Sequence, residues 1–140
     1  MILQIDNNLP PFLAATLNPL AELNGHHVRH IRDRCRGEED AGGVSDERWM
    51  RDLAREPDGA FLTLDVHIRK RPPEIAAFKE SGLVGFWLRT KTWEQFLVRR
   101  QHHELAWRLL KRWPDIVDAV RLLDSQALEI PLTGKIRGLR

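Results

Sequence analysis

Short apolar runs and helical segments alternate along the first third of the chain. Residues 2–5 form an apolar run that ends in the polar residues 6–8, and Pro10 then opens a segment of helical periodicity that reaches about Leu23. Residues 27–31 alternate between polar and apolar positions, as a half-exposed strand does. The order of strand, helix and strand predicts a β-α-β unit with parallel strands.

The same alternation continues through the rest of the sequence. Helices are predicted over residues 46–55, 74–80, 92–113 and 114–123, and strands over residues 60–64, 83–88 and 127–130. Pro114 is expected to end one helix and to begin the next, because proline lacks the amide hydrogen that a helix interior needs. The uninterrupted apolar run at 60–64 indicates a central strand covered on both faces. The whole pattern predicts an α/β fold around a mostly parallel central sheet.

Two segments fall outside this pattern. Residues 33–45 are rich in glycine and charge without a sustained period, and we expect a mobile loop there. Residues 133–140 form a basic tail, so a single domain is predicted over residues 1–132. The length of 140 residues and the hydrophobic content of 42% suit one domain with one buried core.

The cysteine content and the absence of targeting signals narrow the class of protein. The single cysteine, Cys35, cannot form an internal disulfide or, alone, a thiolate zinc site. The sequence has no apolar run near the roughly 20 residues that span a bilayer, and its start lacks the basic and apolar regions of a signal peptide. We therefore expect a cytoplasmic protein with no membrane partner.

The net charge of +2 hides an uneven distribution along the chain. Residues 1–70 carry 9 Lys and Arg against 12 Asp and Glu, whereas residues 71–140 carry 13 against 8. Most of the basic residues are arginine, whose planar guanidinium suits bidentate contacts with phosphate. The second half therefore favours a nucleic-acid partner, and a solvated arginine-rich helical surface is the alternative interpretation.

Carboxylates stand at three points where strands end or helices begin. Asp6 and Asp65 each follow an apolar strand, and Asp46 and Glu47 open a helix that Ser45 is expected to cap. Because the carboxyl ends of parallel strands lie along one edge of a sheet, these acids are expected to converge there. Two carboxylates about 5 Å apart repel by roughly 3 kcal/mol at an effective dielectric near 20, so a cation or a proton is expected to offset their charge. Oxygen ligands point to Mg²⁺ or Mn²⁺.

Each acid also has a structural interpretation. Asp6 would cap the helix that follows it, Asp46 would interact with a helix dipole, and Asp65 would form an Asx turn after its strand. Histidine ligands for zinc are disfavoured, because His26 and His30 lie around a strand, where a separation of four residues does not align two ligands. The first turn between strand and helix contains no glycine, which argues against a phosphate-binding loop.

Six short segments carry a family resemblance. They are Ile5-Asp6-Asn7-Asn8-Leu9-Pro10, His30-Ile31-Arg32-Asp33, Ser45-Asp46-Glu47-Arg48-Trp49, Leu62-Thr63-Leu64-Asp65-Val66-His67-Ile68, and Trp93-Glu94-Gln95 with Ala106-Trp107-Arg108. In this order they resemble the PIN-like proteins grouped with VapC-type toxins. The resemblance implies a three-layer α/β/α domain that binds Mg²⁺ or Mn²⁺ through acids and cuts RNA. It also implies an antitoxin protein that holds the nuclease inactive.

The resemblance assigns the catalytic acids by position. Asp6 matches the first acid of the family, Asp46 or Glu47 the second, and Asp65 the third. These residues would hold the metal ion directly or through water. Asn7 is expected to orient Asp6 or a water molecule.

The segment after the third acid departs from the family pattern. PIN nucleases commonly carry a fourth acid there, whereas residues 66–69 contain no Asp or Glu, and Asp33 is a candidate replacement. The same segment continues into basic residues that are expected to contact the RNA backbone, with solvated surface charges as the alternative interpretation: Arg69, Lys70 and Arg71.

The sequence therefore supports the hypothesis of a metal-dependent endoribonuclease that acts as the toxin of a toxin–antitoxin pair. Its expected partners are RNA, an antitoxin protein and a second copy of the chain in a homodimer. The alternative is a catalytically inactive PIN-like module that binds RNA or a partner protein. A DNA-binding helix-turn-helix regulator is disfavoured, because the long basic helix carries tryptophans typical of a core.

Overall fold

The computed structural model of the protein describes residues 1–34, 45–122 and 126–139. The strands are β1 (Ile2–Ile5), β2 (His27–His30), β3 (Gly59–Thr63), β4 (Val84–Leu88), β5 (Ala127–Ile130) and β6 (Arg137–Gly138). The helices are α1 (Phe12–Glu22), α2 (Ile31–Arg34), α3 (Asp46–Ala54), α4 (Pro72–Ser81), α5 (Thr90–Val98) and α6 (His102–Leu122), and a 3-10 helix spans Val66–Arg69. Residues 35–44 of the expected mobile loop, with Cys35, lie outside the described residues.

The six strands form one mostly parallel sheet in the order β2-β1-β3-β4-β5-β6. Four neighbouring pairs are parallel, and only the pair of β5 and β6 is antiparallel. The predicted α/β fold with a mostly parallel sheet is confirmed, and β3 is an inner strand as its apolar run indicated. Because Arg137 and Gly138 pair with β5, the sheet extends into the segment expected to be a basic tail.

Helices cover both faces of the sheet, which gives the three layers that the resemblance implied. On one face α1, α5 and α6 bury side chains such as Leu13, Trp93 and Leu109 against the sheet. On the other face α3 and α4 bury Trp49 and Phe78. In the described ranges, no helix is long and apolar enough to cross a membrane.

The long C-terminal helical region is divided at a different place from the one predicted. The break lies between Val98 and His102, where Arg100 takes a left-handed backbone conformation with φ of 54°. Pro114 lies inside the continuous α6, so the prediction that it would begin a new helix is wrong. Buried Leu109 and Ile116 lie on either side of Pro114, and their packing offsets the one hydrogen bond that the proline removes.

Gly85 of β4 allows three aromatic rings to pack closely on the α3 and α4 side of the sheet. Phe61, Phe78 and Trp87 contact one another edge to face with ring centroids 5.2–5.6 Å apart. A Cβ atom on Gly85 would lie 2.5 Å from both Phe61 Cζ and Trp87 Cζ3. The strand can therefore hold both large rings only because position 85 has no side chain.

Replacing Gly85 with alanine is expected to lower the free energy of unfolding by about 1–3 kcal/mol, because the rigid rings must move to admit the methyl group. Urea denaturation measured by tryptophan fluorescence checks this. Gly138→Ala is the matched control, since nothing lies within 4 Å of a Cβ there. Equal stability of the Gly85→Ala protein and the wild type would show that the ring cluster relaxes freely.

Candidate functional site

The strand order places the carboxyl ends of β1 and β3 at the centre of the sheet. The chain passes from β1 through α1 to β2 on one side, and then crosses back to β3 on the other side of β1. Such a reversal of strand order opens a crevice at the carboxyl edge, where ligands bind in open α/β sheets. Asp6 follows β1 directly, and Asp65 lies two residues beyond the end of β3.

Asp6 is the most buried of the predicted acids, with 7% of its surface exposed. Thr63 Oγ1 donates a hydrogen bond of 2.7 Å to its Oδ2, and the backbone N–H of Asn7 donates one of 2.7 Å to its Oδ1. Burial raises the pKa of Asp6 from 3.8 to about 6 against the effect of these hydrogen bonds, and the charges of Asp46 and Asp65 add to the rise. The fold therefore holds this carboxylate in place while disfavouring its charge.

Asp46 lies in the first turn of α3, which Ser45 caps by accepting a hydrogen bond from the backbone N–H of Arg48. Trp49 Nε1 donates a hydrogen bond of 2.8 Å to Asp46 Oδ1. Burial raises the pKa of Asp46, and the negative charges of Glu74 and Asp65 raise it further. Of the two adjacent candidates, Asp46 is thus the acid that interacts with the others.

Asp65 is oriented by the backbone around it. Its Oδ1 accepts a 2.8 Å hydrogen bond from the backbone N–H of His67, which caps the 3-10 helix. Its carbonyl oxygen accepts a hydrogen bond of 3.0 Å from Trp87 Nε1. The structural role proposed for Asp65, a turn after its strand, is present, and its charge also acts on Asp6 and Asp46.

Glu74 is a further acid beside Asp46 and was not among the acids predicted from the sequence. It lies in the first turn of α4, is 7% exposed, and raises the pKa of Asp46. Its Oε1 forms an ion pair of 3.2 Å with Arg71 Nη1, whereas its Oε2 is buried without a hydrogen-bond partner among the described residues. The available signal was the pair Pro72-Pro73, which opens the helix and puts the next residue in its first turn.

Asp33, the suggested replacement for a fourth acid, makes a hydrogen bond close to it in the chain. Its Oδ2 accepts a hydrogen bond of 3.3 Å from the backbone N–H of His30 at the start of α2. His30 is fully buried, and its Nε2–H donates to the carbonyl oxygen of Leu9 at 2.7 Å while Nδ1 accepts from the N–H of Arg32. Burial lowers the pKa of His30, so the neutral ring supports the loop that follows Asp6.

The remaining residues of the predicted site are three basic residues and Asn7, and their contacts differ. Arg71 contacts Glu74, as described, and its positive charge lowers the pKa of Asp46. The guanidinium of Arg69 lies over the ring of Trp87, 5.5 Å from its centroid. Lys70 is exposed. The side chain of Asn7 accepts a 2.8 Å hydrogen bond from Arg32, so it is the backbone of Asn7 that orients Asp6.

Thr63 joins the acids that follow β1 and β3, and the sequence analysis assigned it no role. Its hydroxyl donates to Asp6, and the same oxygen accepts a hydrogen bond of 2.9 Å from the backbone N–H of Asp65. Asn8 lies 3.4 Å from this hydroxyl and accepts a hydrogen bond from the backbone N–H of Leu64. One buried hydroxyl thus sets the positions of two acids.

A family model described as a PIN-like domain matches residues 1–90. The chain belongs to the PIN-like domain family. The comparisons with curated proteins and with solved structures gave no match. The matched span contains the acids described above, whereas most of α5, all of α6 and strands β5 and β6 lie beyond it. The PIN-like domains are in general nucleases.

The donor set of this PIN-like domain fits a hard divalent cation. Asp6, Asp46, Asp65 and Glu74 offer carboxylate oxygens, the ligands that Mg²⁺ and Mn²⁺ prefer, and Glu74 Oε2 is buried without a partner among the described residues. Within the described ranges, however, no three His, Cys, Asp or Glu side chains are already arranged to hold a metal ion. Binding would therefore require side-chain rotation, for example of Asp65 away from His67.

Replacing Thr63 with valine is expected to raise the pKa of Asp6 above about 6, because the hydroxyl stabilises the ionised carboxylate. The free energy of unfolding should fall by about 1–2 kcal/mol, since the backbone N–H of Asp65 also loses its acceptor. A carboxyl ¹³C NMR titration gives the pKa. Thr92→Val, which removes a hydroxyl bonded to the carbonyl of Arg89 in α5, is the control. An unchanged Asp6 pKa in Thr63→Val would contradict the assigned hydrogen bond.

Proposed function

We propose that this protein is an endoribonuclease that requires Mg²⁺ or Mn²⁺ and acts as the toxin of a toxin–antitoxin pair. The observation that carries the proposal is that buried or partly buried acids from separate parts of the chain, near the carboxyl ends of β1 and β3, lie close enough to affect one another's ionisation. The charges of Asp46 and Asp65 raise the pKa of Asp6, and the charges of Glu74 and Asp65 raise the pKa of Asp46. Burial and mutual repulsion both disfavour the ionised form of these acids, and a divalent cation would offset their negative charge.

Each of the four acids has a distinct part in this proposal. Asp6 is the fixed ligand, because Thr63 and the backbone of Asn7 hold both of its oxygens. Asp46 and Asp65 would approach the cation from α3 and from the turn after β3. Glu74 would contribute its Oε2, which has no hydrogen-bond partner in the part of the chain that the structure describes.

The proposed chemistry is hydrolysis of a phosphodiester bond. When bound, the metal ion supplies an activated water and offsets negative charge on the leaving oxygen. Arg71 is 59% exposed beside Glu74, which suits it to contact a phosphate oxygen of the RNA. The burial of Asp6 and the partial burial of Asp46 limit access of bulk water to the carboxylates and strengthen their interaction with a cation.

A specific observation also favours the second candidate function, an inactive PIN-like module that binds RNA or a partner protein. Asp46 is hydrogen bonded to Trp49, Asp65 to the backbone of His67, and Glu74 to Arg71. These contacts occupy carboxylate oxygens that a metal ion would need. The two candidate functions differ in whether a divalent cation displaces these carboxylate contacts.

Incubation of a mixed single-stranded RNA pool with the purified protein tests the proposal. Cleavage is expected with millimolar Mn²⁺ or Mg²⁺, and it should stop with EDTA and in the Asp6→Asn variant. The matched control is Asp118→Asn, which removes an exposed carboxylate of α6. RNA binding without cleavage by the wild type at any metal concentration would support the inactive module instead.

Expression of the wild-type protein alone is expected to slow bacterial growth, because an unrestrained ribonuclease depletes RNA. Asp6→Asn at the same protein level should permit normal growth, and co-expression of an antitoxin encoded beside the protein should relieve the wild-type effect. Growth curves with immunoblots of protein level measure this. Equal inhibition of growth by the wild type and by Asp6→Asn would show that the toxicity does not depend on the acidic cluster.

A further inference from the structure

The turn between α5 and α6 and the first turns of α6 carry an exposed strip of basic and aromatic side chains. We define this basic strip by five residues: Arg99, Arg100, His103, Trp107 and Lys111. His103, Trp107 and Lys111 are spaced four residues apart, so they lie on one face of α6. Lys111 Nζ is 5.0 Å from the ring centroid of Trp107, whose side chain is 55% exposed.

The basic strip begins at the same edge of the sheet as the acidic cluster. A cleft of about 530 Å³ extends from Asn8 and Asp65 past Glu94 to Leu97 and Val98, and Arg99 is the next residue in the chain. The rings of His102 and Phe12 lie 5.0 Å apart, which places the start of α6 against the start of α1. The cleft therefore leads from Asp65 to the start of the basic strip.

The side chains of the basic strip contribute little to the fold. Arg99 and Arg100 are exposed, and neither has an acidic partner among the described residues. Trp107 contrasts with Trp49, Trp87 and Trp93, which are buried in the two cores. An exposed tryptophan between cations suits a ligand that combines flat rings with negative charge.

We propose that the cleft and the basic strip bind the single-stranded RNA that extends from the acidic cluster, with Arg99 and Arg100 on phosphates and Trp107 stacked on a base. This inference rests on the proposed function, since it gives the path of that substrate. It concerns a part of the chain beyond residues 1–90, which the PIN-like family model matches. The distance along α6 from His103 to Lys111 is about 12 Å, enough for roughly three stacked nucleotides.

RNA is favoured over an acidic protein because of the composition and place of the surface. Base stacking on aromatic rings combined with cations that follow the backbone is the usual means of binding single strands. The cleft also leads directly to Asp65, so a strand bound along it would reach the proposed site of hydrolysis. An acidic peptide would form ion pairs with the basic side chains, but it would not stack on the exposed indole of Trp107.

Fluorescence polarisation of a labelled 12-nucleotide unstructured RNA in EDTA tests the proposal without cleavage. Arg99→Gln with Arg100→Gln is expected to raise Kd about tenfold and to reduce the slope of log K against log salt by about 1.4. Arg55→Gln with Arg121→Gln removes the same charge at the opposite edge of the sheet and should change Kd less than twofold. Thermal unfolding must show that both double variants are folded.

Two further measurements identify the occupant. RNA should quench the fluorescence of the wild type, and Trp107→Phe should lose most of that quenching. A polyglutamate peptide of the same charge should bind at least tenfold more weakly than RNA. Peptide binding as tight as RNA binding, lost in the arginine variant, would overturn the proposal in favour of an acidic protein partner.

The experiment separates this inference from the proposed function. If the wild type cleaves no RNA but binds it through the basic strip, hydrolysis is wrong and the RNA path stands. If the wild type cleaves RNA and the arginine variant keeps its Kd and KM, hydrolysis stands and the path is wrong.

Discussion

Replacing Asp6 with asparagine is expected to raise the free energy of unfolding of the metal-free protein by about 1–2 kcal/mol at pH 8, while hydrolysis is lost. Burial raises the pKa of Asp6 from 3.8 to about 6, so the ionised carboxylate opposes folding. A shift of this size corresponds to about 3 kcal/mol, since each pKa unit is worth 1.36 kcal/mol. The amide recovers only part of it, because one of the two donors, Thr63 or the N–H of Asn7, then faces an NH₂ group.

The pH dependence of this difference has a definite sign. The folded protein binds the Asp6 proton more tightly than the unfolded chain does, so acidification through pH 6 stabilises the wild type relative to Asp6→Asn. The advantage of the variant should be complete above about pH 7 and should vanish below pH 4. The buried His30, whose pKa is lowered, has the opposite effect, but it is present in both proteins and cancels in the difference.

Chemical denaturation in EDTA between pH 4 and 8 measures this, with Asp118→Asn as the control for loss of an exposed charge. With Mn²⁺ at ten times its dissociation constant, the wild type should gain about 1.4 kcal/mol and Asp6→Asn much less. A variant less stable than the wild type at pH 8 in EDTA would show that the hydrogen bonds of Asp6 outweigh the cost of its charge.

Strand topology explains why part of the acidic cluster could be predicted from the sequence. Asp6 and Asp65 follow apolar runs, and parallel strands place such residues at one edge. Glu74 could not be found in this way, because its position depends on the packing of α4 beside α3. The segment directly after Asp65 is the 3-10 helix at Val66–Arg69, which contains no acid, and the next acid in the chain is Glu74 in the first turn of α4.

In the fold as well, features that depend on local sequence could be predicted, whereas features that depend on long-range packing could not. The strands and the cap of α3 by Ser45 follow from local patterns, and both predictions are confirmed. The break before α6 occurs at Arg100, which has a positive φ. Glycine usually occupies such positions, so an arginine there gives no sign of the break in the sequence. Pro114 gave a false signal, because core packing along α6 outweighs the loss of one hydrogen bond.

Replacing Glu74 with glutamine is expected to lower kcat/KM for RNA cleavage in Mn²⁺ by about 10²–10³-fold, because a metal ligand supports several kcal/mol of charge stabilisation in the transition state. The stability in EDTA should change little, since the glutamine oxygen can still accept the hydrogen bond from Arg71. The stabilisation by Mn²⁺ should fall along with activity. Initial cleavage rates and thermal unfolding with and without Mn²⁺ provide the measurements.

Control variants show whether the effect of Glu74→Gln is specific to the acidic cluster. Glu80→Gln changes an exposed acid of the same helix and should leave cleavage and the Mn²⁺ effect as in the wild type. Asp46→Asn should behave like Glu74→Gln, whereas Glu47→Gln should stay near wild type, because Asp46 is the acid that interacts with Glu74. Wild-type cleavage and wild-type stabilisation by Mn²⁺ in Glu74→Gln would mean that Glu74 serves only as the partner of Arg71, and a metal site would then rest on Asp6, Asp46 and Asp65 alone.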